Sequence, residues 1–127
     1  MILRDLVGDA GHVCGPATTL ADAARAMAAE GHGSLGVVEG LNLVGLVTER
    51  DLVRAISQDL DPATTPVTAV MTKDPDTFHP DDDVWEAAEW LAESGYRHLP
   101  VLEAGQLLGI VSVRDLLVAL LAEDEAE

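Results

Sequence analysis

Apolar residues recur along this chain with two different periods, and the order of those periods is written twice. Leu20, Ala23, Ala24 and Met27 fall at the spacing of one helix face, and Val84, Ala87, Ala88 and Leu91 repeat it later. Each run starts behind a capping residue, Thr19 or Asp83, with an acid three positions on, Asp22 or Glu86, and each stops at a glycine, Gly31 or Gly95. A capping box, or its Asp-led relative, thus opens each predicted helix, and a glycine suited to a C-cap closes it. Two short apolar runs follow in each case, LGVVE and LVGLV, then LPVLE and LLGIV. The intervening EGLN and EAGQ predict hairpins. A last helix is predicted from Thr48 and from Ser112, carrying Leu52, Val53 and Ile56, or Leu116, Leu117 and Leu120, toward the core.

The duplication is gapless. Shifting the sequence by 64 positions aligns Pro16 with Pro80, Gly31 with Gly95, Gly45 with Gly109 and Asp51 with Asp115, and 15 of 45 pairs between 13–57 and 77–121 are identical. The reading is therefore two copies, 1–57 and 67–127, joined by a linker over 58–66, QDLDPATTP. A hairpin flanked by two helices cannot bury both faces of its small sheet alone. The expected fold is mixed α/β (α+β), two β-hairpin/helix repeats packed about a pseudo-twofold axis. At 127 residues and 48% hydrophobic, the chain suits one compact module.

Charge narrows the partners. With 23 acidic against 7 basic residues, the net charge of -16 opposes binding to nucleic acid or to anionic lipid. No apolar run reaches the roughly 20 residues of a membrane span, and Met1–Asp5 lacks a signal peptide's basic start, so no membrane association and a cytoplasmic location are expected. The terminal AEDEAE reads as a solvated tail, and Asp81–Asp83 as a helix start. A single cysteine, Cys14, forms no internal disulfide or zinc pair. The histidines, His12, His32, His79 and His98, lack ligand spacing, so no metal is expected. Walker A and G-x-S-x-G phrases are absent, and neither catalytic residues nor a required cofactor is expected.

Two phrases remain, GLVTERDL at 45–52 and GIVSVRDL at 109–116. As capping boxes, TERD and SVRD are fully explained: the hydroxyl accepts from the helix start and the aspartate reaches back. The same geometry also leaves backbone N–H groups, a hydroxyl and a carboxylate beside one another, a set that can hold a ribose and a phosphate. The residues alone leave both uses open.

These phrases, YRHLPV at 96–101 and the VMT at 70–72 together resemble a tandem pair of CBS domains, the modules named after cystathionine β-synthase, over nearly the whole chain. The resemblance implies adenosine-type ligands such as AMP, ADP, ATP or an adenosyl compound, held in clefts between the two motifs. It places Thr48, Asp51, Ser112 and Asp115 on the sugar, and Arg97 and His98 near phosphate. Only the second copy has cations there, since the first carries Gly33 and Ser34. Arg50 and Arg114 reach either phosphate or neighbouring acids. By analogy Val13 and Cys14, and Thr77 and Phe78, edge an adenine slot, with Tyr96 and Pro100 in the adjoining phrase. His32 aligns with Tyr96, although a capped helix end accounts for both.

A regulatory sensor is the resulting expectation, a ligand-binding module that signals to a separate effector protein. An interaction or dimerisation scaffold with vestigial ligand sites is the alternative. The acidity favours AMP or an adenosyl compound over ATP. Trp85 and Trp90 replace Ala21 and Ala26 of the first copy and flank the inner stripe of their helix. At least one is expected to meet solvent in a monomer, and a homodimer using this helix is expected.

Overall fold

The computed structural model describes residues 1–8 and 12–126, residues 125 and 126 by backbone alone. In chain order the elements are β1 (Val13–Cys14), α1 (Leu20–Glu30), β2 (Ser34–Glu39), β3 (Asn42–Thr48), α2 (Glu49–Ser57), β4 (Thr72–Lys73), α3 (Val84–Ser94), β5 (His98–Glu103), β6 (Gln106–Ser112) and α4 (Val113–Ala126). The architecture is mixed α+β, and the chain divides into two compact units, Gly11–Pro75 and Met1–Ala10 with Asp76–Glu127.

In the Gly11–Pro75 unit a four-stranded sheet has the order β1-β2-β3-β4. β1 runs parallel to β2, pairing Val13 with Gly36 and Cys14 with Val37, and the other pairings are antiparallel. The expected caps are in place: Thr19 Oγ1 accepts the Asp22 N–H at 3.2 Å, and Gly31 closes α1 at φ 71°. That left-handed angle suits glycine, which lacks the Cβ that strains other residues there. Leu20, Ala23 and Met27 of α1 are buried against Leu35, Val37 and Val47 of the sheet. The segment 58–66 is no free tether, because Thr65 and Pro62 carbonyls accept the Leu20 and Ala21 N–H groups, both at 2.9 Å.

The other unit has the hairpin β5–β6, with α3 and α4. Its counterpart of β1 is reduced to one parallel bridge, Phe78 with Val101. Asp83 caps α3 through the Glu86 N–H at 3.2 Å, and Gly95 ends it at φ 79°. A 3-10 turn at Leu3–Asp5 packs here, with Leu3 fully buried beside Val84, Leu91 and Leu99. Arg4 reaches Glu103 at 2.6 Å and Asp81 at 3.1 Å. The Arg4 hydrogen bond holds the Glu103 carboxyl below its ordinary range. Any stability from that depressed value is present above the ordinary glutamate pKa and is lost on acidification, and the solvent around both side chains keeps it small.

The repeat also governs this N-terminal contact. Leu3 N–H donates to Asp82 O as Val67 N–H does to Thr18 O, and Val84 N–H donates to Met1 O as Leu20 N–H does to Thr65 O. Every pair is offset by 64. Residues 1–8 and 65–72 are thus equivalent leading segments, and each packs on the body of the other sequence copy. Chain order and packing part company here.

Three expectations about faces are corrected. Val53 and Ile56 are 69% and 57% exposed and Leu117 is 55% exposed, while Ala55, Leu116 and Ala119 are buried. The cap explains the shift for α2: turning Asp51 inward brings Ala55, one turn on, inward as well, and Val53 and Ile56 outward. The acidic tail is helical, since α4 continues to Ala126. Trp85 does meet solvent, at 58% exposure. Trp90 instead lies against Phe78 and Tyr96, with ring centroids 5.5 and 5.7 Å away. Among the described residues no helix is long and apolar enough to cross a membrane.

Candidate functional site

Both repeated phrases fold as strand-to-helix junctions, and both are reciprocal capping boxes. At the first, Thr48 N–H and Oγ1 donate to Asp51 Oδ2 at 2.8 and 3.0 Å, and the Asp51 N–H approaches Thr48 Oγ1 at 3.3 Å. Arg54 Nη1 stands 3.6 Å from Asp51 Oδ1. The Asp51 side chain is only 10% exposed, so this carboxylate is largely consumed by its own helix. Its basic partner is Arg54, one turn further along α2, and not Arg50, which lies exposed.

At the second junction Ser112 N–H donates to Asp115 Oδ2 at 2.8 Å and Asp115 N–H to Ser112 Oγ at 3.0 Å. Here the aspartate is exposed, and its other oxygen has no partner among the described residues. The fold gathers the expected cation-bearing positions around it. The Val113 N–H donates to the Arg97 carbonyl at 3.0 Å, His98 pairs with Ser112 across β5–β6, and Arg114 lies exposed in the first turn of α4. Arg114 and Asp115 also edge a shallow hollow of about 250 Å³ closed by Leu6, Val118, Ala119 and Ala122. A carboxylate oxygen and donor-rich side chains at one helix start can accept from a diol and donate to an anion.

The remaining expected residues are placed as follows. Pro100 is buried, its carbonyl accepting the Phe78 N–H at 3.0 Å, so it shapes the sheet from within. Thr77 is exposed beside the partly buried Phe78. Tyr96 is half exposed and stacks on Trp90 at 16° between ring planes, so Phe78, Trp90 and Tyr96 form one aromatic cluster. Trp90 was expected only at the flank of the inner stripe of α3, and its contacts with Phe78 and Tyr96 were not foreseen. In the other unit Val13 is 41% exposed and Cys14 partly buried. Burial pushes the Cys14 thiol up, against a smaller opposing hydrogen bond with Thr18, which is opposite to what an activated nucleophile needs.

One arrangement escaped the sequence altogether. His12 and His32, which lack ligand spacing in the sequence, have ring centroids 3.5 Å apart, and His12 Nδ1 lies 3.0 Å from Glu30 Oε2. The signal was local: a left-handed Gly31 puts residues 30 and 32 on either side of one turn, but only the β1–β2 pairing brings residue 12 there.

The unequal caps give a stability prediction. Asp51→Ala is expected to cost about 1–2 kcal/mol, because it orphans a partly buried Thr48 N–H, whereas Asp115→Ala falls nearer about 0.5 kcal/mol. Urea unfolding of the two variants measures the order, and a larger loss at Asp115 contradicts it.

Comparison with known proteins identifies the repeat. A family model described as the CBS domain matches residues 4–58 and 67–122. The uncharacterized 17.7 kDa protein of the bps2 3′ region of Acidianus ambivalens is 43% identical over 87% of this chain and 67% of its own length. Several longer curated relatives are spanned over only 20% to 22% of their length. A protein with CBS domains from Burkholderia ambifaria superposes with a TM-score of 0.91 at 30% identity, covering 96% of this chain and 95% of that one. The CBS domain protein PAE2072 of Pyrobaculum aerophilum, solved in complex with AMP, gives 0.85 at 26% identity, covering 96% and 99%. With both copies matched in tandem, the chain belongs to the CBS-domain family as a CBS pair.

Proposed function

We propose that this chain is a regulatory module that binds an adenosine-type ligand at the junction of β6 and α4. The observation that carries the reading is the exposed Asp115 carboxylate, with one oxygen left over after its cap, beside Arg97, His98 and Arg114. Asp115 and Ser112 take the ribose hydroxyls, and Arg97 and Arg114 take phosphate. The AMP complex of the Pyrobaculum relative supports this ligand class. Thr48 and Asp51 form the weaker copy, since Asp51 is already satisfied and residues 33 and 34 offer no cation. AMP or an adenosyl compound is preferred to ATP, whose extra phosphates enter the field of a chain at -16. Chemistry on the ligand has no part in the reading. Occupancy is passed on by a homodimer to a separate effector protein, and the 58% exposed Trp85 is placed in the dimer contact.

Calorimetric titration with AMP, adenosine and ATP tests the reading. Arg97→Ala is expected to weaken AMP by about 10- to 100-fold, the equivalent of about 1.5–3 kcal/mol for one charged hydrogen bond, and to leave adenosine nearly unchanged. Asp115→Ala weakens both. No heat with any ligand at millimolar concentration leaves the scaffold alternative, and tighter ATP than AMP at low salt without magnesium overturns the stated preference. Sedimentation of the parent and of Trp85→Ala at tens of micromolar tests the assembly, and a monomeric parent removes it.

A further inference from the structure

A cluster of metal-ligating side chains lies in the Gly11–Pro75 unit, at the C-terminal end of α1. Donor atoms of His12, Glu30 and His32 all fall within 4.8 Å of one another. Backbone contacts fix the segments that carry all three. The carbonyl of His12 accepts the Gly36 N–H at 2.9 Å, which holds it to β2 just ahead of β1. Glu30 is the last residue of α1, and the His32 N–H donates to Met27 O at 3.0 Å across the Gly31 cap. We propose that His12, Glu30 and His32 form a binding site for a divalent transition-metal ion of the zinc class.

Geometry, ligand type and charge agree. Bonds of about 2.0 Å in a tetrahedral zinc site put ligand atoms about 3.3 Å apart, close to the 3.0 Å between His12 Nδ1 and Glu30 Oε2. Two imidazoles and one carboxylate suit a borderline ion such as Zn2+ or Co2+, whereas Mg2+ and Ca2+ favour oxygen ligands alone. Glu30 also puts a negative charge at the negative end of α1, whose last turn carries no basic residue. A cation there relieves an arrangement that the helix alone disfavours. The two imidazole rings lie 3.5 Å apart between centroids, so both can turn a nitrogen toward one ion. Three protein ligands leave one coordination position for water or an incoming anion.

The second copy of the repeat serves as an internal comparison. Offset by 64, the three positions hold Asp76, Ser94 and Tyr96. There Ser94 Oγ accepts the Tyr96 N–H at 3.3 Å and the Tyr96 ring stacks on Trp90. The fold therefore closes the same helix end without a ligand set, and the histidines and glutamate of the first copy are not demanded by its architecture.

Titration of the full chain with ZnCl2 in a large excess of Mg2+ tests the site, since Mg2+ occupies the acidic surface. One saturable Zn2+ per chain is expected, with a rise in melting temperature. His12→Ala and His32→Ala are each expected to weaken Zn2+ by about 100-fold, at the upper end of the roughly 10- to 100-fold lost with a ligand's own hydrogen-bonding partner. Glu30→Gln weakens it less, since both imidazoles remain. Co2+ should give the visible absorption of a tetrahedral nitrogen-containing site in the parent and lose it in the histidine variants. Circular dichroism verifies folding, and His12→Asn or His32→Asn replaces any alanine variant that unfolds. No saturable zinc, unchanged affinity in both histidine variants, or a Co2+ spectrum of all-oxygen octahedral type overturns the proposal.

Discussion

Leu3→Ala is expected to destabilise the unit built from residues 76–126 by about 2–5 kcal/mol, the usual cost of emptying a fully buried leucine site. Leu3 is 0% exposed and packs in the core with Val84, Leu91, Leu99 and Val111. The surroundings are strand and helix interior with little freedom to collapse into the space, which favours the upper part of that range. The location of the damage is the sharper test. Hydrogen exchange resolved along the chain should show β5, β6 and α3 losing protection while β2 and β3 keep theirs. Equal loss in both units, or loss confined to residues 12–75, contradicts the packing of the N-terminal segment described above.

The second large effect is expected at Gly109. Its backbone angle is ordinary, so alanine is conformationally acceptable, but an added Cβ would stand 2.7 Å from Val7 Cγ1. Valine is stiff about χ1 and cannot swing its methyl aside cheaply. Gly109→Ala should therefore cost about 1–3 kcal/mol by overpacking, and Val7→Ala in the same chain should recover most of it. Gly45 occupies the equivalent place, where the added Cβ would meet Met71 Sδ. Methionine has more rotatable bonds and yields more readily, so Gly45→Ala should cost less. Urea unfolding of the four variants decides the matter, and additive losses at Gly109 and Val7 would falsify the steric account.

Much of the fold was legible because its signals are local. Thr19, Thr48, Asp83 and Ser112 cap the helices they were expected to cap, and Gly31 and Gly95 end theirs in left-handed turns. Such features depend on residues three or four positions apart, which a sequence shows directly. Misreadings arose where the deciding contact is distant. Val53, Ile56 and Leu117 carry apolar side chains, yet the face that turns inward is set by Asp51 and by Leu116. The spacing of His12 and His32 says nothing of their meeting, because β1 must first pair in parallel with β2. For the two capping junctions, hydroxyl and aspartate were readable, but not how unequally they are spent. Asp51 and Asp115 are the same residue in the same phrase, and only burial separates a satisfied carboxylate from an available one.

The exchange of leading segments has a consequence for the order in which the chain can fold during synthesis. Residues 11–75 are contiguous, so everything that unit needs has been made once β4 is complete. The other unit is split across the chain. Leu3 and Val7 are translated long before Leu99 and Gly109, the residues they rest on. Until then this short apolar stretch has no core to enter, and closing a loop of that length adds an entropic cost that grows only slowly with length. A ribosome would thus release a finished first unit trailing an unsatisfied N-terminal segment, which docks only after β6 has been made. Slow translation between Pro75 and Gly109 would lengthen that exposed interval without altering a single contact of the final structure.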